Sequence, residues 1–118
     1  MHLDICKDKL PNANVYILRQ VLQNLSNRKI KLVLNKLNKK KKIIIITEHS
    51  PSKKFIPNLD IKRCIVTRTA INSGVVIDKH PFNFKYRKKK KLLEVVSYPD
   101  LDKIITYQYN TWYKWKKN

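Results

Sequence analysis

Residues 39–47 read Lys-Lys-Lys-Lys-Ile-Ile-Ile-Ile-Thr, a block of four lysines followed directly by four isoleucines and a threonine. Consecutive β-branched residues favour a strand, because their side chains are restricted at χ1 and pack well on a pleated surface. We therefore predict a buried strand over 43–47. The lysine block leaves one end of this strand strongly basic.

The chain as a whole is also basic, with 118 residues, 27 Lys and Arg against 8 Asp and Glu, and a net charge of +19. A hydrophobic fraction of 42% is enough for a modest core, so we expect one folded domain rather than a disordered chain. The charge implies a polyanionic partner, and nucleic acid comes first because neutralised phosphates release counterions. A supercharged protein without such a partner is the alternative.

No membrane partner is expected, because the longest apolar run covers only 43–46 and the basic charge is not confined to one amphipathic helix. The abundance of Lys, Asn and Ile, with Gly74 as the single glycine, indicates an A/T-rich genome. The N-terminus resembles neither a signal peptide nor a transit peptide, so an organelle-encoded protein is expected. Two cysteines make no disulfide framework and fit a reducing compartment.

Upstream of the isoleucine run, we predict one short strand and one long helix. Alternation around Leu3 and Ile5 predicts the strand. The helix begins at Asn12 or Asn14, where the side chain caps it. Its apolar positions recur at helical spacing: Val15, Leu18, Val21, Leu22 and Leu25. Residues 28–38 fit a strand or a helix, and we prefer a continued helix that kinks near Ser26.

Downstream, residues 48–54 are predicted as a loop, and strands are predicted over 62–69, 75–77 and 82–96. Gly74 is expected to supply a positive φ in the turn between the first two of these strands. A helix is predicted to follow Asp100 through Gln108, and a last strand to run from 111 to 116. Leu92, Leu93, Val95 and Val96 are expected to enter the core.

The predicted order is strand, helix, strand, strand, helix, strand, which is the ferredoxin-like split βαβ order. We therefore predict an α+β fold in which two helices cover one face of the sheet and a long basic hairpin arm projects from it. Within a single domain over 1–118, residues 1–47 hold the first strand, the long helix and the second strand. Residues 48–91 form the basic loop or hairpin arm. Residues 92–118 hold the end of the third strand, the second helix and the last strand.

The residues that usually carry catalysis show no pattern here. One glycine cannot form a phosphate-binding loop, and the three His and two Cys lie at no zinc-finger spacing. Asp4, Asp60 and Glu94 could converge in a nuclease, and Cys64 with His80 could form a nucleophile pair, but neither spacing requires it. We expect no enzyme, no metal or other cofactor and no small-molecule substrate.

Aromatic residues are a second group of candidates for nucleic-acid contact. Phe82, Phe84 and Tyr86 alternate with polar residues, so the three rings could stack on bases as in an RNA-binding sheet, or they could belong to the core. For Trp112, Tyr113 and Trp115 we prefer packing on an edge strand to base stacking. A free RNA- or DNA-binding module from an A/T-rich virus or mobile element is the functional alternative.

Residues 56–95 resemble small-subunit ribosomal protein ten. That family has an arm reading roughly Ile-Pro-Leu-Pro-Thr-Lys-Lys-Arg, against Ile-Pro-Asn-Leu-Asp-Ile-Lys-Arg at 56–63. It then has Phe-Glu-Ile-Arg-Thr-His-Lys-Arg-Leu-Ile-Asp-Ile, against Phe-Lys-Tyr-Arg-Lys-Lys-Lys-Lys-Leu-Leu-Glu-Val at 84–95, without a gap. The chain departs from the pattern where Leu59 replaces a proline, where Thr69-Ala70 replaces Ser-Pro, and in a longer hairpin tip around 73–78.

The resemblance implies a ferredoxin-like body in the head of the small ribosomal subunit, with rRNA and head proteins three and fourteen as partners and no enzymatic activity. It implies rRNA contacts at Lys62, Arg63, Arg68, Arg87, Lys88, Lys90 and Lys91. The charge pattern alone adds Lys53, Lys54, Lys79, His80 and Lys85. A mitochondrial ribosome is the expected location, with the cytoplasm of an A/T-rich bacterium as the alternative.

Overall fold

The computed structural model describes residues 4–61, 67–97 and 102–111. These residues form one mixed sheet in the order β1-β2-β4-β3, together with one α-helix. The α+β class with a four-strand sheet is therefore confirmed. The elements are β1 (Val15–Arg19), α1 (Asn27–Lys40), β2 (Ile43–Ser50), β3 (Lys88–Ser97) and β4 (Asp102–Asn110), with 3₁₀ turns at Leu22–Asn24 and Thr69–Ile71.

The isoleucine run forms β2 at the centre of this sheet, as predicted. β2 pairs in parallel with β1 and antiparallel with β4, and its side chains alternate between partly and fully buried. Pairing continues to Ser50, which lies opposite Lys103. The strand is thus longer than the predicted 43–47, and Glu48 lies within it rather than in a loop.

The prediction of a helix that begins at Asn12 or Asn14 is wrong over 15–25, because the chain first forms β1 there. Tyr16 and Leu18 are buried while Val15, Ile17 and Arg19 are exposed, a period of two that parallel pairing with β2 imposes. The helical stripe that we predicted mixes residues from both faces of this strand. Residues 28–38 are helical as preferred, but the Ser26 side chain caps the start of α1 instead of marking a kink.

The predicted first strand near residue 5 is also wrong within the described part of the chain. Residues 5–7 form a turn in which the Asp4 carbonyl accepts hydrogen bonds from the amides of Lys7 and Asp8, at 3.1 and 2.7 Å. Leu3 lies outside the described residues.

The second helix is wrong as well, because residues 102–110 form β4. Ile104, Ile105 and Gln108 fit helical spacing, but partners on both sides place these residues in a sheet. The parallel strands β1 and β2 are direct neighbours, so no strand splits this βαβ unit as the ferredoxin-like order requires. Of the predicted last strand, Thr111 lies outside β4 and 112–116 lie outside the described residues.

Residues 51–61 and 67–87 do not form a projecting arm. Val75, Ile77 and Phe84 belong to the same hydrophobic core as α1 and β2, and the Phe84 amide donates to the Ile77 carbonyl at 2.7 Å. The strands predicted over 75–77 and 82–86 are absent from these described residues, where β3 begins only at Lys88. Of the strand predicted over 62–69, residues 67–69 are not extended and 62–66 lie outside the described part.

Asparagines rather than the glycine adopt positive φ in this segment, with φ of 62° at Asn58 and 53° at Asn72, so the expected conformation of Gly74 is wrong. A Cβ on Gly74 would approach the Ser50 Oγ to 2.9 Å, so the glycine is needed for space. The buried Asn58 side chain donates to the carbonyls of Val76 and His80 and accepts from the Val76 amide. These contacts join Asn58 to residues 76–80 across the segment.

The register divides the sheet into a covered face and an open face. The covered face contacts α1 and residues of 51–61 and 67–87, and its central rows contain Ile44, Ile46, Glu48, Tyr107 and Tyr109. The open face carries the alternate residues of each strand, among them Ile17, which is 70% exposed. The prediction that the apolar end of β3 enters the core is wrong: Leu92, Leu93, Val95 and Val96 are all exposed.

Candidate nucleic-acid interface

The two blocks of four lysines, far apart in sequence, meet at one end of the sheet. Ile43 at the start of β2 lies opposite Asn110, and Asn110 lies opposite Lys88 at the start of β3. The Arg87 amide donates to the Asn110 carbonyl at 2.8 Å, and the Thr111 hydroxyl donates to the Lys42 carbonyl at 2.6 Å. Because adjacent strands lie about 4.8 Å apart, the backbones of Lys42 and Arg87 are separated by roughly 10 Å.

We call this surface the basic end and define it by six exposed residues: Lys39, Lys41, Lys42, Arg87, Lys88 and Lys90. Lys39 belongs to the last turn of α1, and Lys41 follows with a left-handed backbone that ends the helix. Among the described residues, the ion pairs do not include Lys39, Lys42, Arg87, Lys88 or Lys90. The charge of these five members of the basic end is therefore not neutralised by an ion pair within the described part of the chain.

A second basic group surrounds a cavity of about 510 Å³ on the covered face. The cavity lies between the sheet and the residues of 51–57 and 75–79 that pack over the end of β2. Its apolar lining includes Ile46, Phe55, Ile77, Ile105 and Tyr107. Five lysines also line it: Lys53, Lys54, Lys79, Lys89 and Lys103.

Glu48 lies in the wall of this cavity and is only 6% exposed. Burial raises the pKa of Glu48 to about 8, although the Leu22 and Gln23 amides and the charge of Arg68 act in the opposite direction. Its two carboxyl oxygens accept from those amides at 3.2 and 3.1 Å. The carboxyl group is therefore mostly neutral at pH 7.

Lys89 is held between an acid and an aromatic ring in the same cavity. Its Nζ lies 3.2 Å from the Asp78 carboxylate and 4.3 Å from the centre of the Tyr107 ring. Burial favours a higher pKa for Asp78, but the hydrogen bonds from Tyr86 and Lys89 outweigh it and lower that pKa. Lys103 is likewise paired, with Glu94 at 3.7 Å.

Arg68, which we predicted as an RNA contact, is buried in the structure. Its side chain is 1% exposed and donates to the carbonyls of Leu59 and Leu25, so it joins the segment 51–87 to the start of α1 from within. Burial lowers its pKa, while the charges of Asp60 and Glu48 raise it. An arginine without exposed surface has no donor to offer a phosphate.

The other predicted contacts are divided among separate surfaces. Arg87, Lys88 and Lys90 lie in the basic end, and Lys53, Lys54 and Lys79 line the cavity. Lys91 is exposed and pairs with Glu94 at 3.2 Å, which raises the pKa of Lys91 and lowers that of Glu94. Lys85 borders a second cavity, next to α1, and His80 is exposed. Lys62 and Arg63 lie outside the described residues.

The aromatic alternation does not form a stacking platform. Phe84 is buried and lies edge-on to Tyr109 at 6.4 Å between ring centres, while Tyr86 lies 5.3 Å from the same ring. Tyr86 also donates to Asp78 at 2.9 Å, and Phe82 is packed against the core. These three rings pack in or against the core, which is the second of the two alternatives that the sequence left open.

From the sequence we identified the lysine block at 39–42, but we did not include Lys39, Lys41 and Lys42 among the predicted RNA contacts. The available signal was position: a lysine run that ends directly at a strand must lie at the end of that strand. Only the pairing of β2 with β4 and of β4 with β3 shows that the second run lies at the same end.

Residues 4–61, 67–97 and 102–111 contain no group of three or more His, Cys, Asp or Glu that could hold a metal ion. No helix in those ranges has the length and apolarity needed to cross a membrane. Comparison with protein families, with curated proteins and with solved structures finds no match to this chain.

Proposed function

We propose that this protein binds RNA through the basic end and serves as a structural component of a small ribosomal subunit. The observation that carries the proposal is the meeting of residues from two lysine blocks on one exposed surface at the end of the sheet. Exposed lysines at the ends of neighbouring strands can contact successive phosphates of a nucleic-acid backbone, and each neutralised phosphate releases counterions. The six residues that define the basic end are all Lys or Arg, and such side chains typically contact the phosphate backbone, so the proposed mode is backbone contact.

The ribosomal setting rests on the resemblance of 84–95 to small-subunit protein ten. Arg87, Lys88 and Lys90 belong both to that matching run and to the basic end. The ferredoxin-like body that the family implies shares a four-strand sheet and a βαβ unit with this chain, and it differs in strand order and in the second helix. We propose the head of a mitochondrial small subunit as the location, with rRNA as the principal partner.

The open face supports the proposal of protein neighbours in such an assembly. Ile17, Leu93 and Val95 are 70%, 57% and 46% exposed and lie on this one face. An apolar sheet surface of this kind is typical of protein contacts. Head proteins three and fourteen are the neighbours that the resemblance proposes.

A free nucleic-acid-binding module from a virus or mobile element is the second candidate. The observation that favours it is the packing of 51–61 and 67–87 onto the sheet, with Val75, Ile77 and Phe84 in the core. A segment that packs on its own body does not require an RNA assembly to order it.

RNA binding is tested by a matched pair of triple variants. Lys42→Gln/Arg87→Gln/Lys88→Gln removes three charges from the basic end, and Lys7→Gln/Lys9→Gln/Lys29→Gln removes three from other exposed sites. We expect only the first to reduce the slope of log K against log salt, by about 2 to 3 for three lost phosphate contacts. Titration of labelled RNA at several salt concentrations measures this slope, and an equal change in both variants would refute the basic end as the site.

The ribosomal setting is tested separately, by fractionating source cells on a density gradient. We expect the chain to sediment with small ribosomal subunits and to resist moderate salt. Recovery at the top of the gradient, from cells whose subunits are intact, would support the free module instead.

A further inference from the structure

We propose that the lysine-lined cavity on the covered face binds a nucleoside monophosphate unit, either as a free nucleotide or as the phosphorylated end of an RNA. The volume of about 510 Å³ lies within the range of small-ligand sites, about 300–1,000 Å³. The site is separate from the basic end, so the inference goes beyond the RNA binding proposed above and does not depend on it.

The shape of the cavity suits a ligand with a flat part and a charged part. Along β4 its lining extends from Lys103 to Tyr109, which are six residue steps or roughly 20 Å apart at about 3.3 Å per step. A base, a sugar and a phosphate can lie along that length. The aromatic and aliphatic side chains of Phe55, Ile105 and Tyr107 supply the surface against which a base packs.

The charges around the cavity favour an anion of more than one charge. Lys89 and Lys103 are paired with Asp78 and Glu94. No ion pair among the described residues involves the remaining three lysines of the lining: Lys53, Lys54 and Lys79. A terminal phosphate carries about 1.5 to 2 negative charges at pH 7, whereas an internal phosphodiester carries one, so the terminal group gains more from this cluster.

Glu48, which also lines the cavity, does not cancel this charge at neutral pH. Its carboxyl group holds a proton there because burial raises its pKa to about 8. Its oxygens accept from the Leu22 and Gln23 amides, which positions the side chain at the wall. The net charge of the lining is thus set by the lysines.

The experiment compares adenosine monophosphate, adenosine and inorganic phosphate by isothermal titration calorimetry on the intact chain. We expect adenosine monophosphate to bind at least ten-fold more tightly than either part alone, since base and phosphate contact different regions of the cavity. Equal affinity for adenosine and its monophosphate would overturn the proposal.

Variants locate the binding. Lys53→Gln/Lys54→Gln/Lys79→Gln should weaken adenosine monophosphate at least ten-fold, while Lys42→Gln/Arg87→Gln/Lys88→Gln, with the same loss of charge, should leave it unchanged. Equal weakening by both would overturn the cavity as the site. Because the second variant is the one that weakens RNA, failure of the cavity proposal and failure of the RNA proposal give different results.

Two oligonucleotides that differ only in a 5′-phosphate distinguish the sources of the ligand. If the phosphorylated one displaces adenosine monophosphate and the hydroxyl-ended one does not, the RNA end is the ligand. If neither displaces it while adenosine monophosphate still binds at the cavity, the ligand is a free nucleotide. Displacement by both oligonucleotides to the same extent would contradict recognition of a terminal phosphate.

Discussion

The two faces of the sheet are made by alternate residues of the same four strands, yet they differ sharply in exposure. On the covered face Ile44 is fully buried, beneath α1 and residues of 51–61 and 67–87. On the open face Ile17 is 70% exposed. A single-residue step along a strand therefore separates residues that hold the fold from residues available to partners.

The comparison also separates the basic residues by role. Arg68 lies inside the covered side, where it satisfies backbone carbonyls. Arg87 is exposed at the basic end. The two arginines, both predicted as RNA contacts, thus lie in different environments, and charge alone could not distinguish them.

The largest expected effect is the pH dependence that Glu48 gives to the covered face. The folded carboxyl holds its proton up to a pKa of about 8, whereas the unfolded one releases it near 4.5, so rising pH favours unfolding across that interval. We expect the free energy of unfolding of the wild type to fall relative to Glu48→Gln, by up to about 5 kcal/mol between pH 4.5 and 8. Urea denaturation of both proteins across this range measures it, and parallel stability curves would show that Glu48 is not held in its neutral form.

The two isoleucines test burial directly. Ile44→Ala should lower the free energy of unfolding by about 2–5 kcal/mol, because it removes buried methylene groups and leaves a cavity. Ile17→Ala, the same change on the open face, should cost less than about 1 kcal/mol. Urea denaturation at one pH compares the two, and similar losses would mean that another part of the protein covers the open face.

The two arginines give a smaller contrast. Arg68→Met should cost about 1–3 kcal/mol, because the carbonyls of Leu59 and Leu25 lose their donors inside the protein. Arg87→Met should change stability by no more than about 0.5 kcal/mol. We expect the reverse order for RNA affinity, which only Arg87→Met lowers; an RNA defect in folded Arg68→Met would contradict its interior role.

Part of this fold was predictable because local pattern and tertiary pairing agree. The isoleucine run favours a strand by itself. In the structure this strand, β2, pairs with a neighbouring strand along each edge, which agrees with that preference. Residues 28–38 have a helical stripe and a serine cap, and they form α1. For both stretches, the tertiary contacts agree with the secondary structure that we preferred from the local pattern.

Prediction failed where helical and strand periods coexist in one stretch. In 15–19 and 102–110 the apolar residues satisfy both spacings, and the neighbouring strands decide between them. The candidate site likewise depends on contacts between strands. Each lysine block was visible in the sequence, but their meeting at the basic end depends on strand order, which no local spacing encodes.

Composition and short-range pattern were enough to predict the excess positive charge and the strand over 43–47, and they favoured helix over strand for 28–38. Only the tertiary structure shows which lysines lie together. It brought 39–42 to 87–90 across β4, placed Lys53 and Lys79 around one cavity, and buried Arg68 in the interior. The physical reason is that electrostatic recognition depends on distance in space, and contacts between strands set that distance.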